Sequence, residues 1–397
     1  MTDVFDLNSL YNNRMNWLTG SRRSEFKHLI SQLNDPAKGA HAASALVRMG
    51  AESAPALVEA FQARDLAIST QALQVLVRIG PPAIPALAKA VQEAHPLVRL
   101  QAVEVLGRIK DRSALPILLD ALRGEFYTVR AGAASALAEI GDPQAVPPLL
   151  IALKDPEPAV RSAAALALGR FDLPQTFNEV AGLLFDDPMI DVRQAAARAL
   201  GGTRNPAALP YLMDALHDSF WWFEREDPAA DLIQGIQGMG DVAVDPLIKA
   251  LADTEGAVRR FAAASLGAMR AGRAVDALGM ALYDMHHEVG TAAARALGQI
   301  GEASLEVLTD AASHPEPGIR ENVALALGGI NDLRSGDILL EMLHDPERSV
   351  RMQAVRSLGE LKDTRSLPRL EELAANRADR ELQALARAAL DQFKQDK

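Results

Sequence analysis

The sequence predicts an all-α, α-solenoid fold of about twelve two-helix repeats. Three observations lead there. A Leu-centred phrase returns at intervals of 30 to 36 residues along the chain. Each interval holds two apolar stretches at helical spacing. Pro and Asp-Pro punctuate them at fixed places.

The phrase reads LVRMG at Leu46, LVRIG at Leu76, LGRIK at Leu106, LAEIG at Leu137, LGRFD at Leu168 and LGGTR at Leu200. It continues through Ile236, Leu266, Leu297, Leu327 and Leu358 to LDQFK at Leu390. Self-similarity at this period is the mark of a repeat architecture. One helix pair cannot bury its apolar stripe alone, so neighbours must stack.

The first helix of each unit resembles SALPILLDAL (Ser113–Leu122), with Pro in its opening turn. Pro55, Pro85, Pro116, Pro147, Pro210, Pro246 and Pro368 take this place, where the N–H has no intrahelical partner. The second helix resembles AVRSAAALALGRF (Ala159–Phe171), with Val160, Ala164 and Leu168 on one face. The turn between them often holds Asp-Pro, at Asp35, Asp155, Asp187 and Asp345, where Asp is expected to N-cap the second helix.

A polar pair recurs as well. Arg stands seven residues before the Leu at Arg99, Arg130, Arg161, Arg193, Arg259, Arg320 and Arg351. An acid precedes five of these by six residues: Glu93, Asp155, Asp187, Asp253 and Asp345. The expectation is a structural ladder built from Asp155–Arg161, Asp187–Arg193, Asp253–Arg259 and Asp345–Arg351, each Arg reaching its own acid or its neighbour's.

The pattern D-P-x-x-x-V-R-x-x-A-A-x-A-L-G-x-I-G resembles the short bacterial HEAT repeat of the type named for phycobilisome lyases. The resemblance spans residues 22–394 as one continuous solenoid, with residues 1–21 as an N-terminal extension expected to cap the first repeat. It implies a right-handed superhelix with the second helices lining its concave face.

Composition narrows the chemistry. With no cysteine, the chain has no disulfide, thiolate metal site or cysteine nucleophile. No apolar run reaches the length of a membrane span, and the N-terminus lacks a basic-then-apolar signal pattern, so the expectation is a cytoplasmic protein without membrane contact. The net charge of −11 opposes nucleic-acid binding, which depends on neutralising phosphate. That charge is uneven. Residues 1–200 hold 20 Lys and Arg against 21 Asp and Glu, and the remainder holds 21 against 31. The acidic half is expected to meet a partner with a basic surface.

Departures from the repeat supply the candidate sites. The 36-residue interval holds an aromatic insertion at 218–228, with Phe220, Trp221, Trp222 and Phe223 in succession. Rings of this kind either fill a gap in the core or form a contact patch. Arg48, Arg78, Arg108 and Arg170 follow the Leu by two residues and are expected to form a basic line in the N-terminal half. They either answer the helix dipole or line a groove for an acidic segment. His286-His287-Glu288 is a single His-Glu pair, too few ligands for a di-iron site of the deoxyhypusine hydroxylase kind. No phosphate loop, nucleophile elbow or dinucleotide fingerprint occurs. The expected function is a non-enzymatic protein-protein interaction scaffold or assembly factor, with no cofactor and no metal, binding another protein along the concave face. The family resemblance also implies an alternative, a phycobilin lyase-like protein acting on phycobiliprotein chromophores.

Overall fold

The computed structural model of the protein describes residues 20–62, 65–93, 95–217, 230–376 and 378–394. The chain divides into two compact units, Met1–Thr203 and Arg204–Lys397. All regular structure among the described residues is helical. Residues 1–19 of the N-terminal extension and the aromatic insertion lie outside the described residues, and the last two residues of that extension, Gly20 and Ser21, open the first helix.

Among the described residues the first unit holds six helix pairs. They are α1 (Gly20–Ser31) with α2 (Gly39–Met49), α3 (Ala54–Glu59) with α4 (Leu66–Ile79), and α5 (Ile84–Glu93) with α6 (Pro96–Ile109). Then come α7 (Leu115–Ala121) with α8 (Tyr127–Ile140), α9 (Val146–Ala152) with α10 (Pro158–Phe171), and α11 (Phe177–Asp186) with α12 (Ile190–Gly202). The second unit repeats the plan. It pairs α13 (Leu209–Ala215) with α14 (Ala230–Gly238), α15 (Asp241–Ala250) with α16 (Gly256–Ala268), and α17 (Val275–Ala281) with α18 (His287–Ile300). It ends with α19 (Leu305–Ala311) and α20 (Pro317–Gly328), α21 (Leu333–Met342) and α22 (Arg348–Leu361), and α23 (Leu367–Ala375) and α24 (Arg380–Gln392).

Within each unit the second helices pack side by side, α6 on α8 on α10 on α12, and α16 on α18 on α20 on α22 on α24. Each first helix lies against the second helix of its own pair. The core runs between these layers. Leu46, Leu76, Leu106, Leu137 and Leu168, the Leu of five successive phrases, have no exposed surface. Each such side chain contributes roughly 1.5–3 kcal/mol of transfer free energy. Ala72, Ala102, Ala133 and Ala164, four residues earlier on the same stripe, are as deeply buried.

The Gly of Leu-Gly has a packing reason. A Cβ on Gly107 would lie 2.7 Å from the Cα of Ala136 on the next second helix. Gly169 meets Ala199 at 2.8 Å and Gly267 meets Ala296 at 2.5 Å in the same way. Only a hydrogen at these positions lets two helix backbones approach so closely. At the helix exit, Gly80 adopts φ 73° and ψ −143°, a region open in practice only to glycine, and short 3₁₀ turns then lead into the next first helix.

Two local expectations need correction. Asp155, Asp187 and Asp345 do not cap the second helices. Each accepts the N–H two residues on, from Glu157, Met189 and Glu347, and so closes the turn ahead of the helix, whose cap position is held by Glu157, Met189 and Glu347 themselves. Pro246 sits inside α15 rather than in its opening turn, because there the preceding 3₁₀ turn has merged with the helix.

Candidate interaction face of the second helices

The recurring Arg spans two repeats. Nε and Nη2 of Arg161 donate to both carboxylate oxygens of Asp187, at 2.7 and 3.0 Å. Its Nη1 donates to the backbone oxygens of Asp155 and Pro156, at 2.9 and 3.0 Å. Arg130 treats Asp155 in the same manner, Arg259 treats Asp284, and Arg320 treats Asp345, all with bidentate pairs of 2.6–2.9 Å. One guanidinium thereby fastens the turn of its own repeat to the turn of the next.

This differs from the pairing suggested by proximity in sequence. Asp155 gives Arg161 its backbone carbonyl while its carboxylate answers Arg130 of the preceding repeat, and the carboxylates of Asp187 and Asp345 answer Arg161 and Arg320 in the same way. Arg193 and Arg351 likewise donate to the backbone oxygens of Asp187 and Asp345, each at 2.7 Å. Sequence reasoning missed Asp284, because its own repeat has Gly290 where the Arg would stand. The signal was the interval of 25 or 26 residues from Arg to Asp. The Arg259 guanidinium holds the Asp284 carboxyl below the usual range, against the opposing effect of burial.

Two rungs vary the theme. Arg99 lies over the Phe126 ring, 5.4 Å from its centre. Asp253 accepts from the His217 ring, with Nε2 at 3.0 Å from Oδ2, and that bond raises the His217 pKa. Burial acts upward on the Asp253 carboxyl, but the Glu255 N–H and His217 outweigh it and the net shift is downward.

The Arg two residues after the Leu stand elsewhere. Arg48, Arg78, Arg108 and Arg170 are the penultimate residues of α2, α4, α6 and α10, and all four are exposed. The equivalent residue of α8 is Glu139. It forms ion pairs with Arg170 and, at 2.8 Å, with Lys110, and these two cations hold its pKa down to about 2. Arg108 reaches Glu104 at 3.5 Å, one turn back on its own helix.

Between these charges α6, α8 and α10 enclose an open cleft of about 450 Å³. Leu100, Gly132, Ala163 and the exposed Leu166 form its floor, and Glu104, Arg108, Glu139 and Arg170 line its charged edge. The surface is small, apolar at its centre and charged at its rim, the composition of a protein contact.

The same periodicity is recognised by a model of HEAT repeats, which matches residues 84–156, 146–232, 244–320 and 305–391. The chain belongs to the HEAT-repeat family. No curated protein matches it. Solved structures do. The karyopherin Kap121p, bound to the extreme C-terminus of the protein phosphatase Cdc14p, is similar at a TM-score of 0.56 and 15% identity, covering 95% of this chain and 50% of that one. Kap95p, in a structure with RanGDP, is similar at a TM-score of 0.54 and 12% identity, covering 94% of this chain and 60% of that one. This HEAT chain thus spans about half the length of the karyopherin it matches first. Identities this low speak to the fold alone. The CpcE–CpcF phycocyanin lyase complex of Nostoc sp. PCC7120 is similar at 22% identity over 57% of this chain and 92% of that one, with a TM-score of 0.34 that carries no argument.

The HEAT frame also displays a feature that sequence reading passed over. Leu66, Leu97, Tyr127 and Met189 occupy near-equivalent places at or beside the starts of α4, α6, α8 and α12, and all four are exposed. Their signal was present as an apolar residue just outside the buried stripe in four of the first six repeats. Among the described residues no three His, Cys, Asp or Glu side chains converge as a metal site. His286 packs its ring toward Gly256 and His287 approaches Thr291 at 3.4 Å. Among the described residues no helix is long and apolar enough to cross a membrane.

Proposed function

We propose that this HEAT protein is a non-enzymatic interaction scaffold that holds a protein partner along the second-helix face of its N-terminal unit. The observation that carries the reading is the cleft between α6, α8 and α10, where exposed Leu166 lies among Gly and Ala and beneath four charged side chains. Small residues there leave room for an inserted side chain, and the charged rim supplies orientation. The karyopherins that share the fold are seen with protein partners, which agrees with this use of a HEAT surface. The aromatic insertion and the acidic second half are proposed as further contacts, the latter with a basic surface of the partner.

The test is capture of partners from the native cell with the parent protein and with Leu166→Glu, each identified by mass spectrometry. Leu166 is exposed, so the variant should keep its melting temperature and lose its specific partner by ~2 kcal/mol or more. Unchanged capture by Leu166→Glu would remove the cleft from the reading. The alternative, action on a bilin, has only the family resemblance behind it. A sharpened, shifted absorption band on mixing with phycocyanobilin would favour it.

A further inference from the structure

Arg48, Arg78 and Arg108 are the penultimate residues of three consecutive second helices. All three are exposed, and the side chains of Arg48 and Arg78 make no hydrogen bond or ion pair among the described residues. Helices α2 and α4 pack side by side, as do α4 and α6. Packed helices lie ~8–10 Å apart, so the three guanidiniums recur at about that step. A polyproline-II chain advances ~3.1 Å per residue and turns once in three residues, which is about 9 Å per turn. A β-extended chain covers about 10 Å in three residues. The polyproline-II chain therefore returns a side chain to the same face at the spacing of the row, whereas a β-extended chain turns its third residue to the opposite face.

We infer that Arg48, Arg78 and Arg108 receive an extended acidic peptide segment with Asp or Glu at every third position, one carboxylate to each guanidinium. The inference rests on the scaffold reading and names the chemistry of one part of its partner. Arg suits the task because its planar fork can take a carboxylate through two parallel hydrogen bonds. The row has a defined end. At the fourth place stands Glu139, already held by Lys110 and Arg170, so the footprint is three acids within seven residues. Glu104 approaches only Arg108, which makes Arg48 and Arg78 the stronger positions. A nucleic-acid strand fits less well. Its phosphates recur about every 3.4 Å along a duplex strand, and the chain's charge of −11 opposes a long polyanion at a distance.

The experiment uses the full chain and two fluorescein-labelled peptides of one composition. One repeats Asp-Pro-Pro, and the other gathers the same Asp residues into a block. Fluorescence anisotropy at low salt should show the triplet peptide binding about tenfold more tightly than the block, and weakening as salt rises. Arg78→Glu and Arg48→Glu, each checked for an unchanged thermal melt, should weaken the triplet peptide about tenfold or more. Glu139→Gln frees Arg170 to join the row and should tighten it severalfold. Equal binding of the two peptides, no detectable binding of either, or indifference to Arg78→Glu would overturn the inference. So would tighter binding of a single-stranded oligonucleotide that is lost in the same variants. Each of these outcomes leaves Leu166-dependent partner capture as an independent measure of the scaffold reading.

Discussion

Arg161 and Asp187 lie 26 residues apart in sequence and 2.7 Å apart in space, with the Asp187 side chain 3% exposed and the Arg161 side chain 12% exposed. The pair joins the fifth repeat to the sixth. Because Arg161 also bonds two carbonyls of its own turn, it fixes the offset between neighbouring repeats as well as their separation. Apolar contact between smooth Ala-rich helices would leave that offset poorly defined. A bidentate pair admits one arrangement.

Replacing Arg161 by Ala should therefore be costly. It strands a buried carboxylate, and the loss should be about 3 kcal/mol, the lower end for a broken buried pair, since Asp187 keeps the Met189 N–H. Arg112→Ala is the control. Arg112 also pairs with an Asp of the next repeat, Asp142 at 3.2 Å, but its side chain is 81% exposed, and its removal should cost ~0–1 kcal/mol. Urea denaturation monitored by helical signal decides. A curve for Arg161→Ala that superposes on the parent curve would refute the bracing role.

Much of this fold is legible in the sequence because a solenoid writes its long-range contacts into a short-range period. Leu106 and Leu137 announce each other at 31 residues, and the structure buries both completely. The ladder is legible only in part. Proximity in sequence favours Asp155 with Arg161, but the carboxylate turns toward Arg130, and the direction depends on how a turn is folded rather than on its composition. The basic line is similar. Its residue positions can be read off, whereas the capture of Arg170 by Glu139 depends on the offset between helices. Asp284 carries no such mark, because Gly290 follows it where other repeats have Arg, and its partner Arg259 lies in the repeat before.

The close approach at Gly107 gives a second test. Ala at this position would push a methyl group to 2.7 Å from the Ala136 Cα, against backbone that cannot yield alone. The two second helices must separate, at a cost of about 1–3 kcal/mol. Gly182 supplies the contrast within the same unit. It lies inside α11, and a Cβ there meets nothing within 4 Å. Gly182→Ala should stabilise by roughly 0.5–1 kcal/mol through helix propensity. Thermal melts of the two variants should move in opposite directions. Movement in the same direction would mean that the Leu-Gly position is governed by propensity and not by packing.

Acid should weaken the second unit through Asp284. Arg259 holds its carboxyl below the usual range, so the folded form releases the proton more readily than the unfolded chain. The pair's contribution is then complete above the unfolded pKa of about 3.9 and is lost as pH falls through the lower folded value. Asp284→Asn cannot form the ion pair at any pH. Its urea midpoint should fall below the parent's from pH 5 upward, and the two should converge near pH 2. A constant difference across that range would show that the charge of Asp284 does not matter.

His217 acts in the other direction and sets an upper limit of pH. It meets Asp253 at 3.0 Å, in the repeat where the sequence has Ala229 in the ladder position, and the bond raises its pKa above the usual 6.5. The folded form therefore keeps the proton longer than the unfolded chain does. The contribution is fully present below about pH 6.5 and is lost as pH rises through the higher folded value. The Asp253 carboxyl is shifted downward, so the pair also requires a pH above the ordinary carboxylate range. An Arg–Asp rung such as Arg259–Asp284 has no alkaline limit of this kind, since a guanidinium stays charged. His217 is 49% exposed, and solvent screening keeps the effect within ~0–1 kcal/mol. His217→Gln should lower the urea midpoint slightly at pH 5.5, and the difference should vanish by about pH 9, where the parent histidine is neutral. If the gap widened with rising pH, the raised pKa would be refuted. If it held constant, His217 would be acting through packing and not through its charge.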